Sequence, residues 1–190
     1  ATGLWNLFDG ARWAVLILYL TRTLGLDASI IGVVFMVSSV GYLIGSLLPQ
    51  RVARRFGLGH AILLGIVLAI PSELVTALAS GSSLQATAMA MTGFFLAGVA
   101  IPIYDVNQFS VRQAVIPLTM QGRGNATMRT IIRGSVPLGA VVGGLLAERI
   151  GLRGVMVFAA LGGVAAFLAI WFSPVRTMQT LPTRAPVTVA

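Results

Sequence analysis

Residues 29–49, 61–80 and 85–107 each run for about twenty positions with at most one formal charge. That is the length needed to cross the roughly 30 Å of hydrocarbon in a bilayer. Water cannot satisfy backbone groups inside lipid, so such runs must fold as helices. A core helix of a soluble domain would need a polar outer face, which these runs lack. Hydrophobic residues are 57% of the 190. Three further runs, 3–22, 126–147 and 154–172, bring the expected spans to six. Asp9 and Arg12 interrupt the first, and the fifth opens on an amphipathic stretch, RGNATMRTIIRG. Its Arg129 and Arg133 lie four apart on one face, where both can snorkel to the interface. Gly25 with Asp27, Gly57 with Gly59, Gly81-Ser82-Ser83, Pro117, Gly151 and Ser173-Pro174 mark the breaks. The expected fold is therefore an all-α membrane protein, residues 1–173, followed by a disordered tail, 174–190, rich in Thr and Pro.

All thirteen basic residues are arginine, against five acids. In a soluble domain a net charge of +8 would point to nucleic acid, but here the arginines sit in short segments between apolar runs and read as topology, so no nucleic-acid partner is expected. Counted by side, 50–60, 112–133 and 174–190 hold nine of them and the opposite loops three, Arg22, Arg149 and Arg153. The positive-inside rule then puts both ends of the chain in the cytoplasm of a multi-pass cell-membrane protein, expected in a bacterial inner membrane. Without lysine there is no phosphate-loop or Schiff-base lysine. Without cysteine there is no thiolate chemistry, and the single histidine, His60, cannot form a histidine metal cluster. No metal, cofactor or enzymatic activity is expected. The opening ATGLW carries no signal-peptide pattern and reads as the start of a fragment.

The chain also matches itself. Gly45 is followed nine residues on by Arg54-Arg55-Phe56-Gly57-Leu58, and Gly139 by Glu148-Arg149-Ile150-Gly151-Leu152, an offset of 94 residues. Three crossings separate the copies, so they would face opposite sides, as in two inverted three-helix repeats. Gly41 with Gly45, Gly139 with Gly143, and Ala159 with Gly163 have the small-xxx-small spacing that lets helix backbones approach closely in lipid.

The run GYLIGSLLPQRVARRFGLGH, two glycines four apart and then a basic turn, resembles the loop signature of the major facilitator superfamily. The later run QGRGNATMRTIIRGSVPLGAVVGGLLAERIGLR is similar to its drug and siderophore exporter branch, the macrolide-efflux-like and enterobactin-exporter-like proteins. The resemblance covers nearly the whole chain and implies the C-terminal six-helix half of a twelve-helix transporter, with its first helix clipped and an N-terminal half upstream. It implies proton-coupled efflux of a small amphipathic molecule by alternating access. The family signature carries an aspartate where this chain has Arg54, whereas Glu148 fills that place in the second copy. Arg51, Arg54 and Arg55 are accordingly expected to hold a cytoplasmic turn rather than a charge-relay gate.

Ionisable groups within a span usually face a cavity or a partner. Glu73 follows Pro71, about a dozen residues into its span and so near mid-membrane, where a carboxylate can cycle a proton. A proline there frees a carbonyl and helps shape a cavity. Asp9 and Arg12, three apart, can pair on one face. Asp105, Gln108 and Arg112, with Asn107 adjacent, form a stripe at the cytoplasmic end of the fourth span. That stripe either lines the mouth of a substrate path or is a solvated helix end whose Arg112 complements the dipole. Trp5, Trp13, Phe94, Phe95, Tyr104 and Trp171 are candidates for an apolar pocket or for the interfacial belt. A membrane module without transport activity, acting in assembly, is the other reading of the sequence.

Overall fold

The computed structural model describes residues 1–117 and 120–180. All regular structure among them is helical: α1 (Thr2–Leu18), α2 (Ala28–Ser46), α3 (Pro49–Phe56), α4 (Leu58–Ala77), α5 (Ser83–Val115) and α6 (Gln121–Trp171). α1 runs on through a wider π-type turn, Tyr19–Thr23. Among the described residues α2, α4, α5 and α6 are long and apolar enough to cross a membrane. α6 holds 51 residues, covering both the fifth and the sixth expected spans. Gly151 within it has the non-helical values φ 73° and ψ 169°, so the element is two helices joined across a kink.

Local chemistry accounts for the boundaries. Ser82 and Gln85 form a reciprocal cap at the start of α5, with the Ser82 amide donating to Gln85 Oε1 at 3.0 Å. Pro49 sits in the first turn of α3, where its missing N–H costs nothing. Residues 50–60, expected as a turn, are instead mostly this short helix. It ends at Gly57, whose φ 84° and ψ 159° match the conformation of Gly151. Only glycine adopts that region readily. The 94-residue repeat thus recurs as one backbone conformation.

Two glycine crossings organise the packing. A Cβ on Gly45 of α2 would stand 2.6 Å from the Val99 carbonyl of α5, and Gly41 abuts the Phe95 carbonyl. Likewise a Cβ on Gly143 of α6 would stand 2.6 Å from the Ala11 carbonyl of α1, and Gly139 abuts the Leu7 carbonyl. Each partner helix answers with a glycine of its own, Gly98 against Ser38 and Gly10 against Val136. Backbones this close gain dispersion and leave no room for a side chain.

Apolar clusters close both ends. One gathers Leu16, Tyr19, Leu20, Val34, Phe94 and Met156, and the other Leu58, Ile62, Ile66, Tyr104 and Ile170. Buried Tyr19 donates to the Thr76 and Ala77 carbonyls at the end of α4, and Arg153 donates to the Ala79 carbonyl at 2.7 Å. Outside, Leu43, Leu138 and Leu145 are more than 60% exposed, an apolar surface in keeping with a membrane protein.

The expected tail begins differently. Pro174–Thr177 form a 3-10 turn, and the Gln179 and Met178 carbonyls accept hydrogen bonds from the Leu58 and Gly59 amides of α4. The first turn of a helix has unsatisfied amides, and this strap supplies acceptors to two of them. The remainder of the expected tail, 181–190, lies outside the described residues.

Candidate functional site

A cavity of about 220 Å³ lies between α1, α4 and α5. α1 contributes Thr2, Trp5, Asn6, Asp9, Arg12 and Trp13, one face at helical spacing. α4 adds Gly65, Ile66, Ala69 and Glu73, and α5 adds Ala97, Ile101, Tyr104 and Asp105. Four expected site residues from three helices, Asp9, Arg12, Glu73 and Asp105, therefore line one space.

Arg12 is its electrostatic centre. Its Nη2 and Nε donate to Asp9 Oδ1 at 2.7 and 3.1 Å. The same Nε lies 3.7 Å from Glu73 Oε1. The Asp9–Arg12 pair was expected from spacing; the approach of Glu73 was not, because it depends on how α4 packs on α1. Arg12 and Glu73 are only 12% and 11% exposed. Two carboxyl groups thus flank one guanidinium, and Asp105 adds a third acidic side chain to the lining. Trp13 stacks on Phe35 and lies beside Arg12, whose Cζ is 5.0 Å from the indole centroid. Glu73 sits one turn before the end of α4 at Ala77. It is fifteen residues past Leu58, about 22 Å along the axis, and so deeper than the expected mid-span position.

The other end is polar and aromatic. Thr2 Oγ1 lies 3.2 Å from the Tyr104 hydroxyl and accepts from Gln108 Nε2 at 3.1 Å. Trp5 packs beside Tyr104, centroids 6.3 Å apart. A second cavity, about 550 Å³, shares Thr2, Asn6 and Asp105 with the first and continues along Gln108, Phe109 and Arg112. The first space is smaller than the roughly 300–1,000 Å³ of drug-sized pockets, and the second falls within that range. Arg112 lies over Phe109 at 4.8 Å, and its buried Nε has no hydrogen-bond partner among the described residues.

Asp105, Gln108 and Arg112 thus form one continuous wall, as their spacing implies. Asn107 does not join it. It donates to the Ile103 carbonyl at 2.8 Å and faces a third cavity beside Arg54, Arg55 and Gly57. Gly41, Gly45, Gly139 and Gly143 belong to the crossings, and Arg51 donates to the Leu47 carbonyl at 3.0 Å. Glu148 and Arg149 are exposed before Gly151, and His60 is exposed near the start of α4. Phe94 is part of an apolar cluster, and Trp171 stacks on Phe167. Thr2 and Asn6 were missed; stepping back from Asp9 by three and by seven residues reaches both. No group of three His, Cys, Asp or Glu among the described residues is placed to hold a metal.

The sequence profile of the Major Facilitator Superfamily matches residues 6–187. The chain belongs to the major facilitator superfamily. No curated protein matches it. Members of this superfamily are membrane transporters, and the apolar helices of this member accord with a membrane protein.

Proposed function

We propose that this chain is a six-helix half of a proton-coupled exporter in the drug and siderophore branch, moving a small amphipathic molecule outward by alternating access. The observation that carries this reading is Arg12 standing between Asp9 and Glu73 in a cavity shared by three helices. One guanidinium cannot fully satisfy both carboxylates, so a proton arriving on Glu73 releases Arg12 to Asp9, and its departure restores the triad. That exchange couples protonation to the packing of α4 against α1. A lipophilic substrate has Trp5, Trp13 and Tyr104 to stack on.

The reading also takes α6 as two spans broken at Gly151, which gives six crossings and two inverted three-helix units. The reciprocal glycine crossings and the shared conformation of Gly57 and Gly151 support it. An N-terminal half completes the transporter, and nine cytoplasmic arginines orient it in a bacterial inner membrane. Its partners are then the lipid bilayer and a small-molecule substrate. The full-length protein in proteoliposomes, driven by an imposed pH gradient, tests the coupling. Glu73→Gln, fixed in the uncharged form, should abolish gradient-driven accumulation and leave substrate exchange without a gradient. Unchanged accumulation by this variant would remove Glu73 from the coupling role.

A further inference from the structure

Among the described residues the three arginines of α3 form the densest run of basic charge without an ion-pair partner. Arg51, Arg54 and Arg55 fall within five positions of the sequence and are exposed. All five acids of the chain lie in the described residues, and the ion pairs formed there involve Arg12 alone. Asp9 and Glu73 are engaged with Arg12, and Asp105 faces the cavities around it. The internal repeat sharpens the contrast. Its second copy has Glu148-Arg149 before the glycine turn, an acid beside a base, where the first has Arg54-Arg55. Among the described residues the first copy has no acidic partner of its own.

Beside the cluster lies an open cavity of about 660 Å³. Arg54 and Arg55 from α3, Asn107 and Ser110 from α5, and Gln179 from the strap line it. The amides at the start of α4 already donate to the strap, so an anion there would be held by guanidinium groups rather than by a helix end. Phe56, 52% exposed, follows directly on α3, and exposed Leu43 and Leu47 precede it. A basic short helix flanked by exposed apolar side chains matches the chemistry of a headgroup above its acyl chains. We propose that Arg54 and Arg55, with the polar wall of this cavity, bind the phosphodiester headgroup of an anionic phospholipid in the adjoining leaflet.

The full-length protein is loaded in neutral detergent with phosphatidylglycerol or phosphatidylcholine, and retained lipid is counted by native mass spectrometry. Both lipids carry a phosphodiester, but only the first is net negative. The protein should keep phosphatidylglycerol in preference, and less of it as salt rises. Arg54→Gln/Arg55→Gln should lower that retention roughly thirtyfold, Arg54→Lys/Arg55→Lys should preserve most of it, and Arg149→Gln all of it. Equal retention of the two lipids overturns the proposal, as does a glutamine pair that retains phosphatidylglycerol undiminished. Displacement of the lipid by inorganic phosphate would also overturn it, by giving the cavity to a free anion. Should the glutamine pair fail to fold, the wild-type lipid preference and its salt dependence decide.

Discussion

Arg12 is the residue on which the cavity's electrostatics turn. Removing it leaves Asp9 and Glu73 facing each other in a largely desolvated space. Arg12→Gln should therefore destabilise the protein by about 3 kcal/mol, the low end for breaking a buried pair because the cavity admits water. Glu73→Gln in the same chain should recover part of that loss, since it removes one of the stranded charges. Thermal unfolding of the two single variants and the double in one detergent yields the coupling energy. Strictly additive effects would mean that the 3.7 Å approach of Arg12 to Glu73 carries no energy. Half of this triad was legible beforehand. Asp9 and Arg12 are three apart on one helix, so their pairing is a local fact. Glu73 stands out only as a charge in an apolar run, and its partner is set by helix packing. Asn107 shows the reverse: next to Gln108 in sequence, it points to another cavity because neighbours on a helix diverge by about 100°.

Among the elements, the two glycine turns set where the chain changes direction. Gly57 and Gly151 have positive φ with extended ψ, which costs other residues about 1–3 kcal/mol. Gly57→Ala and Gly151→Ala should each lower stability by about that amount, whereas Gly32→Ala in α2, where a Cβ would meet nothing within 4 Å, should be neutral or slightly stabilising. Thermal unfolding of the three variants checks the contrast; an equal loss at Gly32 would separate the effect from backbone conformation. The breaks were readable because glycine and proline punctuate any sequence locally. The helix α3 was not, since eight residues with three arginines are equally consistent with a solvated loop. Its helical form rests on Pro49 at its start and on packing against α4 and α5. The strap was missed for a similar reason: its hydrogen bonds are made by backbone carbonyls, which leave no mark on side-chain composition.

For the whole molecule, the proposed orientation follows from the uneven distribution of arginine. A chain without cysteine is directly suited to labelling: Arg54→Cys should be protected from a membrane-impermeant maleimide in intact cells and Arg149→Cys should react. The opposite pattern would invert the topology. The membrane class, the approximate limits of the apolar runs and the glycine turns were determined by the sequence itself, because hydropathy, run length and backbone freedom are properties of neighbouring residues. Tertiary structure alone decided that Glu73 reaches Arg12, that Thr2 and Gln108 meet Tyr104, and that each glycine pair finds a glycine on its partner. Those contacts join residues dozens of positions apart, and their geometry depends on the rotation and crossing of whole helices, which residue spacing along one helix does not specify.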